Sequence, residues 1–65
     1  MHVIETVPRT GIERMIDPSL ADGIIHNAES SGYKIIRTWT ATTFEVLIMW
    51  PHRARPMLRY TAPVA

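Results

Sequence analysis

Residues 33–50, Tyr-Lys-Ile-Ile-Arg-Thr-Trp-Thr-Ala-Thr-Thr-Phe-Glu-Val-Leu-Ile-Met-Trp, alternate as two β-strands but carry apolar side chains in both phases. Strand side chains point to opposite faces with period two. A hairpin wet on one side needs one apolar face, so this one requires cover on both. The phase switches between its halves: Tyr33, Ile35 and Trp39 are odd-numbered, whereas Phe44, Val46, Ile48 and Trp50 are even. A loop at 40–43 reconciles them and pairs 39 with 44, 37 with 46, 35 with 48 and 33 with 50. One face then holds Trp39–Phe44, Ile35–Ile48 and Tyr33–Trp50, cross-strand pairs each worth about 0.2–1 kcal/mol over alanine pairs. The other holds Ile36–Leu47 and Lys34–Met49, with Thr38–Glu45 near the loop.

What can cover the second face is limited by size. The chain has 65 residues, enough for one domain, read here as a single α+β unit over 1–65. Domains of this size bury only about 60% of the surface their unfolded chains expose. Disulfides, metals or self-association usually reinforce them. There is no cysteine, which removes disulfides and thiolate metal sites. His2, His26 and His52 fall in three different expected elements, so neither a metal nor a cofactor is expected. Self-association, with a homodimer favoured, or a larger protein partner is the remaining source of burial.

Lack of cysteine fits a reducing cytosol, and residues 1–5 lack the basic and apolar segments of a secretory signal. The longest purely apolar run, 46–50, falls far short of the roughly 20 residues of a membrane helix. The expectation is a cytoplasmic protein with no membrane partner. Apolar content of 46% and charged content of 20% are ordinary for a globular chain. Charge is uneven: residues 1–32 carry Glu5, Glu13, Asp17, Asp22 and Glu29 against Arg9 and Arg14, a balance of −3. Residues 33–65 carry Lys34, Arg37, Arg53, Arg55 and Arg59 against Glu45, a balance of +4. Two such ends favour charge-guided docking of like chains or of an acidic partner.

The remaining elements follow from local signals. Residues 2–7 are rich in β-branched side chains and stop at Pro8, which predicts a strand. Thr10-Gly-Ile-Glu13 matches a capping box, with Ile12, Met15 and Ile16 at helical spacing; a single helical turn is expected there. Asp17 suits an N-cap, Pro18 the first helical position and Gly32 the left-handed position after the last turn. Leu20, Ala21, Ile24, Ile25 and Ala28 form one apolar stripe, so 18–31 is expected to be an amphipathic helix. Pro56 and Pro63 argue against a central strand. Residues 52–65 read as a basic, proline-containing and partly flexible tail, with Met57 to Thr61 available as a short edge strand. The expected fold is therefore a small β-α-β-β domain: one helix on a mainly antiparallel sheet of three strands, four if the tail adds one.

Three groups of residues could carry function. Ile36, Leu47 and Met49 form an outer apolar patch, a candidate subunit or partner interface. The plainer alternative is that residues 9–16 or the tail fold over it. Trp50, His52, Arg53, Arg55 and Arg59, with Tyr60, interleave arginine and aromatic side chains as phosphate contact and base stacking require. With a net charge of only +1 this is a thin footprint, and a solvated tail is the simpler account. Arg37 points into the aromatic face beside Trp39, where a guanidinium could hold an anion or ligand carboxylate. Equally, it could lay its stem over the core and reach water or a helix acid.

An enzyme is not expected. Asp22, His26 and Glu29 share a helix face, but one turned away from the apolar stripe. The glycines stand alone at 11, 23 and 32, so no phosphate loop is present. The sequence therefore reads as a small non-enzymatic binding or regulatory protein, an adaptor or inhibitor acting as a homodimer on an unidentified protein. Accessory products of phages and mobile elements are often built this way, which is a property of small proteins at large. Nucleic-acid binding by the arginine–aromatic cluster is the alternative. A ligand site built at a subunit interface around Trp39 and Arg37 is the third reading.

Overall fold

A computed structural model describes residues 2–64; Met1 and Ala65, the outermost positions of the expected 1–65 domain, lie outside the described residues. In chain order the elements are β1 (Val3–Val7), β2 (Ile12–Ile16), α1 (Pro18–Ser30), β3 (Lys34–Trp39), β4 (Thr43–Met49) and β5 (Pro56–Pro63). The strands form one sheet in the order β2-β1-β5-β4-β3, antiparallel at every junction. The α+β class stands, and the β3–β4 register runs as expected from Lys34 opposite Met49 to Trp39 opposite Phe44. The strand count does not: there are five, where three or four were expected.

The first correction is at 12–16, which is a strand and not a helical turn. The carbonyl of Val7 accepts from the N–H groups of Thr10 (3.1 Å) and Gly11 (2.8 Å), and Gly11 takes a φ of 75°, a conformation that other residues adopt only with strain. The Thr10 hydroxyl accepts from Ile12 N–H at 3.3 Å and so serves the turn instead of capping a helix. The chain reverses, pairing Val7 with Ile12 through to Val3 with Ile16. Pairing along all of β1 outweighs a five-residue local signal.

The second correction is larger. Residues 56–63 are the central strand, flanked by β1 and β4, and neither an edge strand nor a loose tail. Proline removes a ladder donor wherever it sits inside a strand. Here Pro56 and Pro63 occupy the first and last positions, opposite Met49 and Thr43, so the interior ladder loses nothing. The register shifts between Ile48 and Met49, where the strand adjusts to Pro56.

The helix forms for the reasons its ends suggest. Asp17 is extended, and its Oδ1 accepts from the Ser19 N–H at 2.9 Å and the Ser19 hydroxyl at 2.6 Å. At the other end Gly32 has a φ of 92°, its N–H donates to the Glu29 carbonyl, and the Tyr33 N–H donates to the Ala28 carbonyl. This paired arrangement is a Schellman stop. Because α1 joins the two edge strands β2 and β3, it must cross the sheet, and it does so over one face. Ile16, Ala21, Ile25, Val46, Ile48 and Tyr60 form the buried core beneath it, ringed by Val3, Ile24, Ala28, Tyr33, Ile35, Phe44, Met57 and Leu58. The corners escape cover: Trp39 is 66% exposed and touches Phe44 at a ring separation of 4.8 Å, and Trp50 is 40% exposed.

Candidate anion-binding cleft

Strands β1 and β4 are both antiparallel to β5, so they run the same way and end at the same end of the sheet. Their following turns, 8–11 and 50–55, therefore meet on either side of the start of β5. The second turn is closed by the Trp50 N–H donating to the Arg55 carbonyl at 3.1 Å, with Arg53 N–H reaching the Trp50 carbonyl at 3.5 Å. Between the turns lies a cleft of about 560 Å³ lined by Pro8, Arg9, Trp50, Arg53, Arg55 and Pro56. The two prolines fix their backbone φ and stiffen the rim.

The electrostatics of the cleft follow from how the acids are used elsewhere. Glu5 is taken by Arg14, Glu29 by Arg37 and Glu45 by Arg59. Among the described residues Arg9, Arg53 and Arg55 make no ion pair with any carboxylate. Three arginines without carboxylate partners thus line one space, and guanidinium forks match phosphate, sulfate or carboxylate oxygens. Trp50, 40% exposed, lines the same cleft and brings an aromatic side chain to it.

Trp50, Arg53 and Arg55, nominated together from sequence, are brought together here; His52 and Arg59 are not. His52 is exposed on the same turn but does not line the cleft. Arg59 sits mid-strand on the outer face, opposite Leu47 and Thr6, with its Nε 3.6 Å from Glu45 Oε2. Tyr60, its neighbour, points the other way into the core.

Arg37 lies on edge strand β3 with a guanidinium nitrogen 3.9 Å from Glu29 Oε2. Both partners are about half exposed, so the pair adds little stability. Arg37 also lines a groove of about 300 Å³ with Asp22, Ile25, His26 and Glu29, and Trp39 is not part of it. Among the described residues no three His, Asp or Glu side chains are grouped as a metal site, and no helix is long and apolar enough to cross a membrane.

Ile36, Leu47 and Met49 are half-buried neighbours on β3 and β4, facing away from the helix. Residues 9–16 do not fold over them, nor do 52–64, because both segments are built into the sheet or its turns. The same face carries exposed Ile4 and Met15 farther off, with Thr61 and the Glu45–Arg59 pair between the two apolar groups.

Sequence reasoning missed two things. Arg9 is one of two bases in an acidic half, and only the topology delivers it to Arg53 and Arg55. Glu5 is buried in the core beside Tyr60 and Arg14. Tyr60 Oη donates to Glu5 Oε2 at 2.7 Å and Arg14 Nε donates to Glu5 Oε1 at 2.5 Å. The Arg14 guanidinium holds the Glu5 carboxyl below its ordinary range, against the opposing effect of burial. Burial, with the Glu5 carboxylate beside it, pushes the Tyr60 phenol well above its usual range. A signal existed: Val3, Glu5 and Val7 share one strand phase, so the acid stands in an apolar row. Comparison of the chain with family models, curated proteins and solved structures returns no match in any of the three.

Proposed function

We propose that this chain is a non-enzymatic binding protein that engages a polyanionic partner through the cleft of Arg9, Arg53 and Arg55. The observation that carries the reading is that three arginines without carboxylate partners line one proline-framed space. With a net charge of only +1, general attraction to anions is weak, and a local cluster has to supply the affinity. Retention on immobilised heparin tests it. Arg53→Glu is expected to elute at clearly lower salt than wild type, whereas Arg37→Glu, an equal change in net charge outside the cleft, elutes close to wild type. Equal losses from the two substitutions would mean that net charge alone is being read.

A second reading concerns the outer face. Ile36, Leu47 and Met49 lie side by side with no described element across them. The Glu45–Arg59 pair at the middle of that face lets a second copy, turned about a two-fold axis, offer an arginine to each glutamate. Self-association through this face predicts a dimeric solution mass for wild type and a monomeric one for Leu47→Glu. A monomeric wild type, or a dimer that survives the substitution, removes this interface.

A further inference from the structure

We infer that the polyanion seated in the cleft is a single-stranded nucleic acid, held by phosphate contacts to Arg9, Arg53 and Arg55 and by one base stacked on Trp50. The inference rests on the polyanion reading above and narrows it to one class of partner. The cleft has two kinds of wall, and an occupant must satisfy both. A free phosphate or sulfate uses the guanidiniums and leaves the indole bare. An acidic peptide does the same, because its charged side chains carry no ring. A nucleotide chain supplies a charge and a flat aromatic ring in every repeat, and stacking on an aromatic side chain tolerates any base.

A duplex fits less well. Its bases are stacked inward, so Trp50 could reach only backbone. Reading the major groove also needs a projecting helix or two-stranded ribbon, and α1 lies across one face of the sheet with Ala21 and Ile25 in the core. The cleft itself, about 560 Å³ and open between two turns, falls within the roughly 300–1,000 Å³ range of ligand sites. All three cations are arginines, whose flat forks bind phosphate oxygens in pairs and also stack on bases, which lysine does not do.

Anisotropy of a labelled oligothymidylate, titrated with the whole chain in a Trp39→Phe background, tests the inference, since Trp50 is then the remaining indole. Binding should quench Trp50 emission. Three phosphate contacts give a slope of log affinity against log salt of about −2, or roughly 15- to 20-fold weaker binding at 200 than at 50 mM salt. Arg53→Ala should flatten that slope by about 0.7. Trp50→Leu should weaken binding about 5- to 150-fold with the slope unchanged, and Trp50→Tyr should restore most of it. Circular dichroism separates loss of contact from loss of fold. Polyglutamate bound while oligothymidylate is not overturns the nucleic-acid inference and leaves the polyanion reading standing. Duplex bound more tightly than single strand also overturns it. Failure to bind either oligothymidylate or polyglutamate removes both.

Discussion

Replacing Ile48 with alanine is expected to cost about 2–5 kcal/mol, the range for truncating a buried aliphatic side chain. Ile48 is 0% exposed, lies between Ile35 on β3 and Leu58 on β5, and belongs to the core under α1. At the usual 0.05–0.15 kcal/mol per residue, a chain of this size has roughly 3–10 kcal/mol of stability in all. The substitution therefore removes much of it and leaves a visibly unfolded fraction at room temperature. Ile48→Val keeps most of the volume and should cost only about 0.5–1.5 kcal/mol. Urea midpoints measure both, with an unchanged slope showing that stability alone has moved. Ile36→Ala is the comparison from the other face of the same hairpin. Should it cost as much as Ile48→Ala, the helix-side core is wrongly placed.

The second large effect is at Tyr60, 2% exposed, whose hydroxyl meets the buried Glu5 carboxylate. Tyr60→Phe keeps the ring and strips a buried acceptor of its donor, at a cost of about 1–3 kcal/mol. It also changes how stability depends on pH, at both ends. In the folded protein the Glu5 carboxyl titrates below its ordinary value of 4.5, chiefly through Arg14 and with help from Tyr60. A depressed acid contributes stability above its unfolded value, and that contribution is lost as pH falls through the folded one. With the phenol hydroxyl gone, Glu5 moves back toward 4.5, so acid unfolding begins at higher pH. Tyr60 itself is pushed up, so folding favours the neutral phenol and stability falls as pH rises above the ordinary value of 10.0. Tyr60→Phe should therefore lack that alkaline decline. Urea midpoints from pH 3 to 11 read out both limbs; unchanged limbs would show that the Glu5–Tyr60 contact is not held in solution.

The hairpin at 33–50 and the helix after Asp17 were legible because each signal is long and redundant. Two strands of opposite phase joined by a loop at 40–43 give the register observed, and the helix has a stripe, an N-cap and a left-handed stop that agree. The segment 12–16 was not, since five residues can satisfy a helical spacing and a strand alternation at once. Its partner β1 settles the matter, and partners are not local. Pro56 and Pro63 misled for a different reason: proline forbids interior ladder positions, yet a strand whose ends are the prolines keeps every interior donor. For the cleft, the part within one turn, Trp50, Arg53 and Arg55, could be read from the sequence. The part contributed by Arg9 and Pro8 depends on β1 and β4 ending together, which no local pattern encodes. Arg59 was grouped with the tail because 56–63 did not read as a central strand; within that strand Tyr60 faces the core and Arg59 faces out.

The strand made last among the five is the one at the middle of the sheet. During synthesis, hairpin β1–β2, helix α1 and hairpin β3–β4 all precede the segment that joins them. Until β5 docks, β1 and β4 both carry open backbone edges, the kind of surface that recruits stray strands. A chain of this topology is most open to misassembly before β5 pairs, and residues 56–63 act as the closing stitch.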